Sequence, residues 1–397
     1  MKESGNDFHR NLISGSDVDP GETVRVFLLI NPAKKQEFYT LLDAVLEEAE
    51  ANGTPIVVHY NLTVVESYDF KSIVVSLTGS QLTNLEELAG DMIESVEEDL
   101  VREVFQNTAG LPAEILPYGV NMVEAPAVWE KNITGEKVRV CVIDSGIDYN
   151  HPDFDQSRLR GNTLNLPWRV DGCKHGTHVS GTIGAEDNEH GVVGVAHRST
   201  IFSIRVFDNQ CQWAYCSTLI YAALRCLCSN AKVINMSLGG GQPSSYESSV
   251  FSTLHHKFGI LSVAAAGNGG NSVKSYPASY PDVVSVAAVN SNGVRASFSQ
   301  YNDAVDLSGP GVDVQSVHAN SGGTSLLTMS GTSMAAPHVS GVAALLYHAF
   351  PKAGPTKIRA AMEKTALDKG VAGRDNQYGW GIVQAKAAYD CLKNNCV

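Results

Sequence analysis

The chain has 397 residues, long enough that two domains are expected, at least one of them able to bury a substantial core. Its composition is that of a soluble globular protein, with no apolar run of the about 18 residues a membrane helix needs, so no membrane partner is expected. The net charge of -13 is uneven: residues 1–105 hold 20 of the 42 Asp and Glu but 7 of the 29 Lys and Arg, while the remainder carries 22 of each sign. This marks an acidic N-terminal unit on a neutral C-terminal one and gives no support to a nucleic-acid surface.

The opening "MKESGNDFHRN" lacks the apolar core of a secretory signal, and residues 1–22, polar and without periodicity, are expected to form a flexible leader. From Thr23 the chain reads strand "TVRVFLLI", helix "KKQEFYTLLDAVLEEAEANG", strands "PIVVHY" and "FKSIVVSL", helix "QLTNLEELAG" and strand "ESVEED". That βαββαβ order matches a small split-βαβ sandwich, a ferredoxin-like α+β unit over residues 23–105. The stretch "QNTAGLPAEILPYG" then reads as a linker.

From about Val138 short apolar β-branched runs, "VRVCVID", "IFSIRVF", "KVINMSL", "GILSVAAAG" and "VVSVAAV", alternate with helical segments such as "STLIYAALRCLCSN" and "GTSMAAPHVSGVAALLYHAF". Continuous apolar strands separated by helices predict an α/β domain over residues 106–397, with a parallel sheet covered on both faces. In such folds sites lie at the carboxyl ends of strands.

Four strand ends or helix starts carry reactive groups: Asp144 after "VRVCVI", His175 in "DGCKHGTHVSGT", Asn268 after "SVAAAG", and Ser333 in "SGTSMAAPHVSG". A serine hydroxyl becomes a nucleophile when an imidazole takes its proton, and the imidazole needs a carboxylate to fix its tautomer and stabilise its cation. A helix N-terminus at Ser333 adds backbone N–H groups, and the Asn268 side chain supplies a further donor for a tetrahedral oxyanion. The set is suited to acyl transfer. An α/β hydrolase of another kind is disfavoured because the serine is not in a G-x-S-x-G elbow, and a silent binding protein because every member of the set is present.

The blocks "VIDSGIDYNHPDF", "HGTHVSGTIG", "VINMSLGG", "AAAGN" and "SGTSMAAPHVSGVAALL" resemble the signatures of the subtilisin-like serine peptidases, in that family's order Asp, His, Ser. The N-terminal unit is similar to the family's inhibitor I9-like propeptide, in "FKSIVVSLTGSQLTNLEELAG" and the closing "VEED". The resemblance implies a three-layer subtilisin-like fold and a broad-specificity serine endopeptidase made as a self-inhibited zymogen. It implies Asp144, His175 and Ser333 as triad, with Asn268 and its neighbour Thr332 at the oxyanion hole and His178 as a structural residue. Polypeptide substrates would pair with cleft walls at Ser237, Leu238, Gly239, Ala265 and Gly267. Ser275 falls near the floor of the primary specificity pocket, and its small size implies a large apolar or aromatic P1 side chain.

The loop "AEDNEHGVVG" is similar to the family's calcium loop, which implies a structural Ca2+ held by Asp153, Asn188 and Glu114 side chains with Glu186, His190 and Val192 carbonyls. No cofactor is implied for catalysis. The propeptide would act as intramolecular inhibitor and folding aid, cut at Phe105–Gln106 or, by a second alignment, at Pro112–Ala113. A Pro at P1 restricts the backbone approaching the nucleophile, which favours the former. Lys174 stands where the family has a small residue.

Eight cysteines permit disulfides. Cys141, in an apolar strand, reads as a buried thiol. Some relatives bridge cysteines at the places of Cys173 and Cys211, while Cys391 and Cys396 can close a small C-terminal loop. A monomer in an extracellular or secretory compartment is the expectation, with an intracellular one as the alternative.

Overall fold

The computed structural model describes residues 14, 18–61, 72–99, 101–104, 108–111, 115–212, 214–319 and 326–397. Both alternative cleavage points and the Glu114 ligand position lie outside the described residues. Two units are present: residues 1–101 with Tyr215–Tyr221 and Gln242–Ser245 make the first, and the rest of the chain the second.

The first unit runs β1 (Thr23–Ile30), α1 (Lys35–Ala51), β2 (Val57–Asn61), β3 (Ser72–Thr78), α2 (Gly79–Ala89) and β4 (Ile93–Glu98), the order read from the sequence. Its sheet is antiparallel, ordered β2-β3-β1-β4. Helix α1 buries Phe38, Leu42, Val45 and Ala49, spaced three and four apart so that one stripe faces the sheet. Helix α2 starts two residues before the expected Gln81 because Thr78 caps it: Gln81 N–H donates to Thr78 Oγ1 at 3.3 Å, and Thr78 N–H donates to Gln81 Oε1 at 2.8 Å. Just before β1, the Pro20 and Glu22 carbonyls accept from the Ser80 and Gly79 amides at 3.2 and 3.0 Å.

Acidic groups closing this unit are also engaged. Asp99 accepts the Ser217 amide at 2.6 Å and the Ser217 hydroxyl, and pairs with Arg25 Nε at 2.6 Å. Glu97 accepts from the hydroxyls of Ser244 and Ser245.

The second unit contains β5 (Val101–Val104, from Arg102 onward), β6 (Thr108–Leu111), α3 (Tyr118–Met122), α4 (Pro126–Trp129), β7 (Arg139–Asp144), β8 (Leu159–Asn162), α5 (His175–Gly184) and β9 (Thr200–Arg205). There follow β10 (Ala214–Tyr215, of which Ala214 is in this unit), α6 (Cys216–Cys228, in this unit from Ala222 onward), β11 (Val233–Met236), β12 (Leu238–Gly239), α7 (Ser245–His256, from Tyr246 onward), β13 (Leu261–Ala265) and β14 (Val283–Val289). The chain finishes with β15 (Leu307–Pro310), β16 (Val314–Val317), β17 (Leu326–Met329), α8 (Thr332–Ala349), α9 (Pro355–Lys364) and α10 (Ala385–Lys393).

Seven strands form a parallel sheet ordered β15-β14-β13-β11-β7-β9-β8. Every residue of β11, β13 and β14 is buried, which accounts for their uninterrupted apolar character: a parallel strand in mid-sheet meets packed side chains on both faces. The core joins β7, β11, β13 and β14 to α5 and to α8, whose residues from Thr332 to Tyr347 are all buried. This is the α/β architecture expected.

One reading of the cysteines is corrected. Cys141 is not a thiol but is bonded to Cys226, with 5.7 Å between their Cα atoms. The same burial that made a thiol plausible sets β7 against α6, where Cys226 lies, and the contact is invisible in an apolar run. Cys173–Cys211 and Cys391–Cys396 are bonded as expected, leaving Cys216 buried and Cys228 exposed as thiols.

Candidate active site

Asp144 ends the interior strand β7 and His175 opens α5, so the carboxyl end of the sheet brings together two residues 31 positions apart. His175 Nδ1 lies 2.8 Å from Asp144 Oδ1, and both side chains are fully buried. The same carboxylate oxygen accepts the Ser145 amide at 2.7 Å, which fixes its plane. An Nδ1–H held this way leaves the lone pair on Nε2, which has no hydrogen-bond partner among the described residues.

A second carboxylate, Asp171, which the sequence reading missed, holds the His175 segment. Its Oδ1 accepts Ser145 Oγ and the Lys174 amide at 2.8 Å each, and its Oδ2 accepts the Thr177 amide at 2.8 Å and hydroxyl at 2.6 Å. Ser145 Oγ in turn accepts the Gly176 amide at 2.9 Å. Burial, and the neighbouring Asp144 charge, push the Asp171 carboxyl up against these bonds. The available signal was its place three residues before Lys174 in "DGCKH", the spacing of a side chain that caps a helix start. Lys174 is exposed and sits at a φ of 72°, a left-handed conformation that favours the small residue usual in the family.

His178 is one turn further along and wholly buried. Its Nε2 lies 3.1 and 3.0 Å from the Val314 and Leu327 carbonyls, and burial drives its pKa down to about 3, so it stays neutral and structural.

Ser333 is the second residue of α8 and is fully buried. Its Oγ donates to the Ser237 carbonyl at 3.0 Å rather than to His175. Asn268 follows β13, and its Oδ1 accepts both the Thr332 amide and the Thr332 hydroxyl at 2.9 Å. Thr332 Oγ1 is itself fixed by the Gly267 amide at 3.1 Å. Thr332 therefore spends its side chain on orienting Asn268, whose amide nitrogen stays available. Gly267 has φ of 111°, and a Cβ there would collide with Gln300, so glycine is required where the chain turns from β13 to Asn268.

The expected cleft walls meet at the same end of the sheet. Leu238 and Gly239, in β12, pair antiparallel with Val104 and Glu103 of β5. Gly240 pairs with Tyr276 through two hydrogen bonds, at 3.0 and 3.3 Å, beside the buried Ser275. Ser237 is buried, Ala265 ends β13, and Gly267 lies two residues beyond.

Away from this cleft, Asp153 is 1% exposed and its Oδ2 accepts the Val192 amide at 2.9 Å. Asn188 Oδ1 accepts the His190 amide at 3.0 Å, and the Glu186 amide donates to the Asp153 carbonyl at 2.9 Å. The Glu186 side chain is paired with Arg158, so only its carbonyl is left for a ligand role. Gly191, at φ of 66°, packs directly against the Asp153 carboxylate, where a Cβ would lie 2.2 Å from Oδ2. The donors this loop offers, the Asp153 carboxylate, the Asn188 side-chain oxygen and backbone carbonyls, are all oxygen, which fits a hard cation.

Comparison with known proteins now decides the family: the profile described as "Subtilase family" (Peptidase_S8) matches residues 135–381. The chain belongs to the subtilase family. It is 39% identical over 301 residues to Subtilisin NAT of Bacillus subtilis subsp. natto, covering 74% of each chain. It is 33% identical over 372 residues to the Thermostable alkaline protease of Halalkalibacterium halodurans, covering 92% of this chain and 96% of that one. Among solved structures, the psychrophilic subtilisin-like protease Apa1 from an Antarctic Pseudoalteromonas superposes with a TM-score of 0.65 at 29% identity, covering 72% of this subtilase and 99% of Apa1. This subtilase is thus a serine endopeptidase with a subtilisin-like fold, acting on polypeptides without a catalytic cofactor.

Proposed function

We propose that this subtilase cleaves peptide bonds with Ser333 as nucleophile, His175 as general base, Asp144 as orienting acid and Asn268 as oxyanion donor, Thr332 holding Asn268. The observation that carries this assignment is the fully buried 2.8 Å contact of His175 Nδ1 with Asp144, which leaves Nε2 unengaged. Ser333 Oγ turns from the Ser237 carbonyl to His175 Nε2, gives up its proton and attacks the substrate carbonyl. Asn268 and the N–H groups opening α8 take up the developing negative charge. His175 then passes the proton to the leaving amine, and water repeats the sequence on the acyl-enzyme. A fluorophosphonate probe should label the parent and not Ser333→Ala, and that variant should accumulate uncut. Labelling that survives the substitution overturns the assignment.

The specificity and zymogen readings rest on the same cleft. Substrate would add as a strand to Leu238–Gly239, the edge that Glu103 and Val104 occupy. Occupation of that edge supports a self-inhibited precursor of domains 23–105 and 106–397, with residues 1–22 as leader. Small residues at Ser275, Ala265 and Gly267 favour a large apolar or aromatic P1 side chain, and strict Arg or Lys preference in a peptide panel would refute this.

A structural Ca2+ is proposed at Asp153 and Asn188 with the Glu186, His190 and Val192 carbonyls, Glu114 completing it; it would brace the loop and take no part in the chemistry. Three disulfides support an extracellular or secretory location. No described helix is long and apolar enough to cross a membrane. The working form is proposed to be a monomer.

A further inference from the structure

A cluster remote in sequence from the triad is absorbed by none of this. Helix α7 ends in His255 and His256, and Asp282 directly precedes β14. One ligand atom from each of the three lies within 4.8 Å of the others. His256 Nε2 is 2.8 Å from Asp282 Oδ1, and both reach solvent, with side-chain exposures of 63% and 22%.

His255 supplies the independent observation. It is 5% exposed, its Nε2 lies 2.9 Å from Thr356 Oγ1, and its Nδ1 is buried with no hydrogen-bond partner among the described residues. An orphaned polar atom in the interior is costly unless something pairs with it. Where Nε2–H donates to Thr356, Nδ1 carries a lone pair on a ring of fixed orientation, the state in which outer hydrogen bonds hold metal-binding imidazoles.

We infer that His255, His256 and Asp282 form a binding site for a borderline divalent transition metal, of which Zn2+ is the fitting ion. Two imidazoles and one carboxylate suit Zn2+ and not Ca2+ or Mg2+, which take oxygen sets. The carbonyl end of α7 favours a cation, and the Asp282 charge adds to this. Arg359 is the opposing charge felt at His255, and it is spent on Asp306 at 2.8 Å and Glu363 at 2.6 Å. The ion would take the place of the direct His256–Asp282 contact, keep a water in its fourth position, and pin the end of α7 to the start of β14.

The test uses the full chain with Ser333→Ala to prevent self-digestion, stripped with a chelator and kept in excess Ca2+, so that the calcium loop stays filled and its fate is separate. Zn2+ titration calorimetry should show a single tight site, and Co2+ should give a visible absorption band. His256→Ala, at an exposed position, and Asp282→Ala, at a half-buried one, each checked by circular dichroism for an intact fold, should each weaken Zn2+ binding at least about tenfold. Cys228→Ser should leave it unchanged. Absence of binding, equal affinity in His256→Ala, or loss on Cys228→Ser alone overturns the site.

Discussion

Ser333 and Ser237 exchange hydrogen bonds: Ser333 Oγ donates to the Ser237 carbonyl at 3.0 Å, and Ser237 Oγ donates to the Ser333 carbonyl at 2.7 Å. The first bond parks the proposed nucleophile away from the imidazole; the second anchors the start of α8 to the strand end that carries the cleft wall. The anchor continues inward, with Asn235 Nδ2 donating to Ser237 Oγ at 3.0 Å and Ser340 Oγ to Asn235 Oδ1 at 2.8 Å.

Ser237→Ala removes one link of that buried chain, stranding the Asn235 amide and the Ser333 carbonyl. A stability loss of about 1–3 kcal/mol is expected, read from urea unfolding of inhibitor-blocked protein. An unchanged midpoint would mean that water replaces the hydroxyl.

Thr332→Val keeps the shape but withdraws the hydroxyl that donates to Asn268 and receives the Gly267 amide. Turnover should fall with KM little altered, by less than the about 10²- to 10³-fold expected of Asn268→Leu. A variant as fast as the parent would show that the backbone amide of Thr332 suffices to orient Asn268.

Burial holds His178 down at about 3 and His338 at about 4, so the native protein keeps both neutral where the unfolded chain, near 6.5, binds protons. Stability from each is complete above about 6.5 and is lost as pH falls toward the native value, at about 1.4 kcal/mol per unit. Asp99, pushed up to about 6 by burial against Arg25 and Ser217, acts with the opposite sign between about 4 and 6. His338→Gln isolates one contribution: the gap in unfolding free energy between parent and variant should narrow from pH 6.5 to 4.5. A gap independent of pH refutes it.

Chelation should lower the melting temperature through the Asp153 loop. Gly191→Ala drives a methyl against the Asp153 carboxylate and adds strain at φ of 66°, so this variant should melt lower and respond little to chelator. A parent indifferent to chelation would remove the calcium assignment.

The polar groups at the cleft were legible because strand ends and helix starts advertise themselves: an acid after "VRVCVI", a serine before "MAAPHVSG". Their supports were less so. Asp171 binds two backbone amides, which any residue supplies, besides the Ser145 and Thr177 hydroxyls, and the parking of Ser333 on Ser237 is a rotamer choice that no spacing encodes. The Cys141–Cys226 bond was hidden because a cysteine in a buried strand looks the same whether or not a partner faces it. Adjacent histidines at 255 and 256 carried no helical spacing to suggest convergence; the end of α7, where the chain leaves the helix, brings both near Asp282.

That hidden bond has a topological effect. Cys141–Cys226 closes a ring with a sequence separation of 85, and Cys173–Cys211, with a separation of 38, lies inside it. Asp144 is on the outer ring and His175 on the inner one, whereas Ser333 is on the open tail beyond. On loop-closure entropy the outer ring alone is worth about 4–5 kcal/mol, drawn from the denatured ensemble. A denatured but oxidised chain therefore keeps acid and base tethered to each other, and only the serine has to be recaptured from the free end.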